Sequence, residues 1–144
     1  MAAPGGGQMT RRVTRDDAKE RGVTERNAGD AREAPVESVE ARERAVVVHL
    51  CGELDLYNAS ELREAFAQLI GQAPERVVVD LGHVDFIDST ALAVLVEART
   101  RLTDARAFLL AAPGIEPRRT LEIAGIAQHF GLYDTVEAAL AAPI

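Results

Sequence analysis

Three short runs of consecutive apolar residues constrain the fold of this chain more than any other feature. The runs are RAVVVHL at 44–50, RVVVDL at 76–81 and AFLLAA at 107–112. Continuous runs of this length are typical of strands that are covered on both faces. A weaker alternation at 36–41, VESVEA, predicts a first strand at an edge. Helical patterns separate the runs, so we predict an α/β fold with a mixed sheet of four to five strands and about four helices.

The helical segments carry start signals at particular residues. The first, NASELREAFAQLIG, begins at Asn58 with Glu61 three positions later, which is the spacing of a capping box. Asp88 is the expected N-cap of the second helix, DSTALAVLVEARTRL. A third, short helix is predicted to start at Pro117, and a fourth, DTVEAALAA, to be capped by Asp134.

Composition divides the chain into two parts. The first 44 residues contain no Leu, Ile, Phe or Tyr, and their nine basic and nine acidic residues cancel. Because such a segment buries too little apolar surface to offset its chain entropy, residues 1–35 are predicted to be a disordered tail and residues 36–144 the folded domain. The whole net charge of −7 therefore falls on residues 45–144. A domain this acidic is a poor binder of nucleic acid, since phosphate neutralisation needs clustered Lys and Arg.

Several classes of function lack their usual signals. No apolar run resembles a signal peptide or a membrane span, so we expect a soluble, cytoplasmic protein with no membrane partner. Cys51 is the only cysteine, and we expect it to be a small buried side chain. His49, His83 and His129 lack metal-ligand spacing, and no G-x-S-x-G motif surrounds Ser89. The prediction is a protein that is not an enzyme and that has neither a metal nor a cofactor.

The junction HVDFIDSTALAVLV, at 83–96, places two carboxylates and two hydroxyls where a strand ends and a helix begins. An Asp followed by Ser and Thr is by itself a routine helix start. The helix that follows has two apolar sides, however, when residues are rotated by 100° each. One side is the predicted core face, formed by Ala91, Leu92, Leu95, Ala98 and Leu102.

The other side, which we call the Ser89 stripe, consists of Ser89, Ala93, Val96 and Thr100, with Val94 nearby. We expect this stripe to be exposed, although an ordinary surface helix would carry Glu and Lys there. An exposed apolar stripe headed by a hydroxyl indicates a docking face with a modifiable residue at its edge. A phosphate on Ser89 would suit the helix N-terminus, yet it would stand beside Asp88 and Asp55 and repel a docked partner.

Two motifs at a defined spacing resemble a known family. GELDLYNASELREAF, followed by VVVDLGHVDFIDSTALAVLV, is similar to the STAS domain of bacterial anti-sigma factor antagonists over roughly residues 36–142. The resemblance implies a STAS-like mixed sheet. It also implies that Asp55 is the family's turn aspartate, that Ser89 after Asp88 is the phosphorylated serine, and that Thr90 is the second hydroxyl, usually not the acceptor.

The resemblance implies a regulatory switch. The unphosphorylated chain would bind an anti-sigma factor that has serine kinase activity, and the sigma factor would then be released. Phosphorylation of Ser89 would end binding. A phosphatase that removes the phosphate is a further expected partner. The expected partner-binding residues are Asp55, Asp88, Ser89, Thr90, Ala93 and Val96. Ala91 stands where the family has glycine. Together with the long tail, it favours the alternative, a constitutive STAS module that scaffolds a larger regulatory or transport assembly and is never phosphorylated.

Overall fold

The computed structural model describes residues 34–128 and 130–143. Five strands form one sheet in the order β1-β2-β3-β4-β5, with β1 antiparallel to β2 and every other neighbouring pair parallel. The strands are β1 (Val36–Arg42), β2 (Ala45–Leu54), β3 (Val77–Ile87), β4 (Phe108–Ala111) and β5 (Gly131–Tyr133). The predicted α/β class with a mixed sheet is confirmed.

Four α-helices connect or follow these strands, as predicted. They are α1 (Ala59–Ile70), α2 (Ser89–Thr100), α3 (Ile115–Ile123) and α4 (Val136–Ala141), with short 3-10 helices at Ala105–Ala107 and Ile126–Gln128. None of the helices in the described ranges is long and apolar enough to cross a membrane.

The two faces of the sheet are covered unequally. The larger core lies on the face where α1 and α2 pack, and the apolar runs contribute Val48, Val79 and Leu110 to it. The opposite face packs against α4 through Val47, Val78 and other small apolar side chains. Since successive residues of a strand alternate between faces, each run supplies both cores, which explains why the runs are apolar without interruption.

Strands β2 and β3 extend further than the apolar runs indicate. Their parallel pairing continues to Leu54 and Ile87, through register shifts between His49 and Cys51 and between Gly52 and Glu53. Gly52 adopts a φ of +77°, which glycine tolerates better than any other residue. The irregular pairing interrupts the period-two alternation that marks a strand in sequence, so the ends of both strands were missed.

One predicted capping interaction and one predicted cap residue are wrong. Asn58 is the N-cap residue of α1 as predicted, but its side chain does not cap the helix. Its Oδ1 accepts from the N–H of Asp55 at 2.9 Å and its Nδ2 donates to the Glu53 carbonyl at 2.9 Å. Asn58 therefore closes the loop before the helix instead. At α4 the cap is Thr135, whose Oγ1 accepts from the N–H of Ala138 at 3.0 Å. The neighbouring carboxylate of Asp134 pairs with Arg118.

The predicted N-terminal tail, residues 1–35, lies outside the described residues apart from Ala34 and Pro35. Both of these residues contact Cys51, which is buried as expected. The Cys51 thiol donates to the Ala34 carbonyl at 3.2 Å, and its N–H donates to the Pro35 carbonyl at 3.0 Å. Ala34 and Pro35 therefore contribute contacts to the sheet just before β1.

Candidate functional site

The carboxyl ends of β2 and β3 bring the two sequence motifs together. In the parallel register Glu53 lies opposite Phe86 and Leu54 opposite Ile87. The N–H of Asp88 then donates to the Leu54 carbonyl at 3.0 Å, which joins the start of α2 to the end of β2. The Gly-Glu-Leu-Asp turn and the Asp-Ser-Thr junction therefore share one edge of the sheet.

Asp88 binds both motifs with a single carboxylate. Its Oδ1 accepts from the N–H of Ala91 at 3.0 Å, which makes Asp88 the N-cap of α2 as predicted. Its Oδ2 accepts from the N–H of Leu56 at 3.1 Å, in the loop between β2 and α1. This loop is consequently fixed against the first turn of α2.

Asp55 lies at the beginning of that loop and shapes it locally. Its Oδ1 accepts from the N–H of Tyr57 at 3.0 Å, a side-chain contact of the kind that replaces a backbone turn. The N–H of Asn58 donates to the Asp55 carbonyl at 3.2 Å, and the Asn58 side chain accepts in return. Asp55 and Asp88 are therefore part of one hydrogen-bonded arrangement at the start of α2.

Ser89 and Thr90 are the first two residues of α2, and both are exposed. Among the described residues, neither hydroxyl has a hydrogen-bond partner. The remaining members of the Ser89 stripe, Ala93, Val96 and Thr100, are exposed as well. Ala91 points the other way and is completely buried in the larger core.

The surroundings of Val94 differ from the prediction. Val94 was expected beside the exposed stripe, but it is 1% exposed because α1 packs over that side of α2. Arg63 of α1 pairs with Glu97 of α2 at 3.0 Å along the same contact. The accessible surface of α2 is thus narrower than its sequence indicates and is centred on the Ser89 stripe.

Three exposed apolar side chains near this site were missed in the sequence. Leu56 is 61% exposed, Tyr57 80% and Phe86 46%. The sequence does contain a signal for the exposure of Leu56 and Tyr57. This apolar pair lies between Asp55 and Asn58, in a turn, where no core is available to bury it. For Phe86 no signal existed, because it lies next to the buried Ile87 in an apolar strand.

The histidines form ion pairs on the sheet. His49 places Nδ1 at 2.6 Å from Asp80 Oδ2 and Nε2 at 3.0 Å from Glu40 Oε1. His83 lies in β3, with Nδ1 at 3.0 Å from Glu37 Oε1. Neither histidine contacts Ser89 within the described part of the chain, and His129 falls outside it. No three His, Cys, Asp or Glu side chains of the described residues are grouped to hold a metal ion.

Comparisons with known proteins agree on one family. The STAS domain model matches residues 38–139. The anti-sigma-F factor antagonist RsfB of Mycobacterium tuberculosis is 31% identical over 94 residues, which are 65% of this chain and 77% of RsfB. An anti-sigma factor antagonist from Mycobacterium paratuberculosis, solved by crystallography, superimposes with a TM-score of 0.68 at 31% identity, over 72% of this chain and 88% of that one. A STAS domain protein from Planctomyces limnophilus shares the fold, with a TM-score of 0.63 at 24% identity, over 72% and 94% of the two chains.

Proposed function

The chain belongs to the STAS domain family, and on that premise we propose that it is an anti-sigma factor antagonist controlled by phosphorylation of Ser89. In its unphosphorylated form it binds an anti-sigma factor that has serine kinase activity and thereby releases the sigma factor. Phosphorylation by the bound kinase ends the interaction, and a phosphatase restores it. The interface consists of Asp55, Asp88, Ser89, Thr90, Ala93 and Val96.

The observation that carries this proposal is the position of Ser89. Its hydroxyl heads the exposed Ser89 stripe, beside a loop that Asp88 holds in place through Leu56. A kinase docked on the stripe would find the acceptor already positioned, so little ordering of the chain would oppose phosphate transfer. The Ser89 hydroxyl oxygen attacks the γ-phosphorus of the ATP bound to the kinase. The bond from that phosphorus to the ADP oxygen breaks, ADP leaves, and the hydroxyl proton passes to a base of the kinase.

The electrostatics of the site support release after phosphorylation. A phosphoserine carries about −1.5 to −2 charges at neutral pH. The backbone N–H groups and dipole at the start of α2 would stabilise that charge within the protein itself. A partner covering the site, in contrast, would bury the phosphate among Asp55 and Asp88 and would meet repulsion and a desolvation cost. The fold therefore tolerates the modification while the complex does not.

Ser89 is a better acceptor than Thr90 for two physical reasons. Helical geometry separates the two residues by about 100°. Ser89 lies on the exposed stripe, whereas Thr90 leads the side that contains Val94 and Glu97, where α1 packs. Thr90 is also β-branched, and its χ1 is more restricted than that of Ser89.

Intact mass spectrometry after incubation with ATP and each candidate anti-sigma kinase of the same cell tests the proposal. We expect one phosphate on the wild type, none on Ser89→Ala and one on Thr90→Ala, which is the matched control. Ser89→Ala should still bind the kinase. Ser89→Asp should weaken binding by about 2–5 kcal/mol, as for an unpaired charge forced into an interface. Phosphate mapped to Thr90 would show that the assigned docking face is wrong.

A constitutive STAS module is the second candidate, and Ala91 is the observation that favours it. The Ala91 methyl group is buried beneath the start of α2, where the family has glycine, and alanine also favours the helix by up to about 1 kcal/mol. Ala91 is therefore the position at which this chain departs from the motif that assigns Ser89 as the acceptor. Stable binding of a partner without phosphate on either hydroxyl would select this candidate over the switch.

A further inference from the structure

A cavity of about 440 Å³ lies at the amino ends of the parallel strands, at the opposite edge of the sheet from Ser89. The turn between β1 and β2, the residues just before β3 and the end of α4 surround it. Its volume falls within the range of small-molecule sites in proteins, roughly 300–1,000 Å³. Three arginines line the cavity, namely Arg42, Arg44 and Arg76. In a chain whose net charge is −7, this local concentration of positive charge indicates a site for an anion.

Arg76 provides rigid donors at the cavity. Its side chain is buried, and three of its N–H groups donate to the carbonyls of Ala139, Leu140 and Ala142 in and just after α4. A guanidinium has five N–H donors, so two remain, and they have no acceptor among the described residues. No carboxylate of these residues neutralises Arg76. A ligand at the cavity therefore meets a positive group whose orientation is already fixed, and little conformational entropy is lost on binding.

The guanidinium of Arg44 is available because its contacts within the protein are weak. Its one ion pair in the described part of the chain is with Glu75 at 3.9 Å, which is longer than a hydrogen bond. Its backbone adopts a φ of +69° in the turn between β1 and β2, where glycine or asparagine is the usual residue. Arginine is thus not the residue that the turn itself favours.

The remaining charges of the cavity leave Arg44 and Arg76 as the groups for the anion. Arg42 is paired with Glu40 at 2.5 Å and with Glu137 at 3.0 Å, so its charge is balanced within the protein. The carboxylates of Glu43 and Glu75 also line the cavity. Both residues are exposed and stay hydrated when an anion binds, whereas Arg76 is held in place.

The shape and chemistry of the cavity indicate the class of anion. Planar guanidinium groups bind phosphate through paired N–H bonds, and a phosphate monoester offers three acceptor oxygens and about −1.5 to −2 charges. Two such groups with free donors therefore favour a phosphate over a singly charged carboxylate. The apolar side chains of Ala45 and Leu140 complete the lining and provide a surface for the organic part of a ligand.

We propose that this cavity binds a small phosphorylated metabolite. Arg44 and Arg76 donate to the phosphate oxygens, and the organic part packs against Ala45 and Leu140. The phosphate takes the place of Glu75 beside Arg44, since the ion pair between these residues is long. The site lies away from Ser89 and does not depend on the proposed function, so failure of either proposal leaves the other standing.

Isothermal titration calorimetry on the full-length protein at constant ionic strength tests the proposal. The probes are glycerol 3-phosphate, inorganic phosphate and glycerol. We expect glycerol 3-phosphate to bind with a dissociation constant of about 1 mM or lower, at least about 3-fold more tightly than inorganic phosphate. Glycerol should not bind. Equal affinities for the two phosphates would assign the site to the free ion and overturn the metabolite. Absence of binding by both would overturn the site.

A second ion pair of the chain provides a matched control for Arg44. Arg119 and Glu116 of α3 are also exposed and lie 3.7 Å apart. Arg44→Gln should weaken binding of glycerol 3-phosphate at least about 10-fold, while Arg119→Gln changes it by less than about 2-fold. Similar losses in both variants would show a general effect of charge and contradict the site. Thermal midpoints without ligand should agree between the variants, since both side chains are exposed.

Removal of the competing carboxylate should strengthen binding. Glu75→Gln frees Arg44 and should increase affinity for glycerol 3-phosphate about 3-fold or more. Glu116→Gln is the control, because the side chains of Glu75 and Glu116 are each 66% exposed, and it should leave affinity unchanged. A purely structural role of the Arg44 pair predicts no gain. Unchanged affinity in Glu75→Gln would therefore contradict the position assigned to the phosphate.

Discussion

Asp88 explains much of the candidate site at the scale of one residue. A carboxylate in this position is an ordinary helix cap, and one oxygen does serve Ala91 in that role. The other oxygen binds the N–H of Leu56, in a loop that lies 32 positions earlier in the chain. One side chain thus stabilises α2 and positions the loop that presents Asp55 and Tyr57.

Replacing Asp88 should therefore affect stability as well as binding. Asp88→Ala removes both acceptors and should lower the free energy of unfolding by about 1–2 kcal/mol, the usual effect of losing an N-cap with an additional hydrogen bond. Asp88→Asn keeps a good cap and should cost less. Urea denaturation is the measurement, and Asp85→Ala is the control, since Asp85 is exposed and should change stability by under about 0.5 kcal/mol. Equal effects of Asp88→Ala and Asp85→Ala would contradict this role.

Asp55, in contrast to Asp88, is expected to affect binding and phosphorylation but not stability. Asp55→Asn retains a side-chain oxygen that can accept from the Tyr57 N–H, so the loop should keep its conformation. The free energy of unfolding should move by under about 0.5 kcal/mol, while kinase affinity or the phosphorylation rate changes because a charge has been removed. A large loss of stability with unchanged binding per folded molecule would make Asp55 a structural residue only.

At the scale of elements, the edge strand β1 is held in the sheet by side-chain ion pairs as well as by its backbone hydrogen bonds to β2. Glu40 of β1 and Asp80 of β3 lie on either side of His49 in β2. Carboxylate oxygens accept hydrogen bonds, so both imidazole nitrogens carry protons in this arrangement. Hydrogen bonding to Asp80 above all raises the pKa of His49, and the bond from His49 lowers the pKa of Asp80.

The stability contribution of His49 should consequently depend on pH. Because its folded pKa is raised, the contribution is fully present below the ordinary value of about 6.5 and is lost as pH rises through the folded pKa. The difference in unfolding free energy between wild type and His49→Gln should therefore shrink above neutral pH. His83→Gln is the control, since His83 forms its pair with Glu37 on the exposed surface. An NMR titration midpoint of His49 at or below the ordinary value would contradict the charged pair.

The C-terminal helix α4 is short and depends on a buried arginine. Arg76, just before β3, donates from Nη1 to the carbonyls of Ala139 at 2.7 Å and Leu140 at 2.6 Å, and from Nη2 to that of Ala142. These carbonyls lie in the last turn of the helix, where the N–H groups of a following turn are missing, and only that of Ala139 also accepts from a backbone N–H, that of Ala142 at 3.3 Å, among the described residues. The guanidinium thus replaces the missing next turn and keeps α4 against the sheet.

Removal of this guanidinium should be costly. Arg76→Met removes three hydrogen bonds to backbone carbonyls at the end of α4 and should lower the free energy of unfolding by about 2 kcal/mol or more. Arg44→Met is the matched control, because the Arg44 side chain is exposed and its contact with Glu75 is long, at 3.9 Å. It should change stability by under about 0.5 kcal/mol. Similar denaturation midpoints for the two variants would show that α4 does not need Arg76.

At the scale of the whole molecule, stability is expected to come from the domain that begins at residue 34. Composition leaves the preceding segment with almost no apolar side chains for a core, while Ala34 and Pro35 accept hydrogen bonds from Cys51. A chain that starts at residue 34 should keep its thermal midpoint within a few degrees. A chain that starts at residue 43 lacks β1 and should lose cooperative unfolding. Loss of cooperative unfolding in the chain that starts at residue 34 would show that the preceding N-terminal segment supports the fold.

Local sequence patterns were sufficient to predict the architecture and part of the candidate site. The apolar runs and the 3.6-residue periods predicted the sheet class and the buried side of α2, including Ala91 and Leu95. The family motifs then indicated that Asp55 and Ser89 belong together, which the shared sheet edge explains. Their roles in binding and phosphorylation stay predictions. The ends of β2 and β3 were missed because register shifts near Gly52 break the alternation on which strand prediction depends.

By itself, the sequence determined which segments are strands and helices and which residue caps α2, because these depend on side-chain periodicity and on hydrogen bonds between near neighbours. Only the tertiary structure decided which side of α2 stays accessible, because α1 covers Val94 and leaves Val96 in solvent. It also decided that the side chain of Asn58, the N-cap residue of α1, closes a loop instead of capping the helix, and that Leu56 and Tyr57 remain exposed beside Asp88. Apolar character shows that a side chain can be buried. Whether it is buried depends on which distant element packs over it, and no local pattern contains that contact.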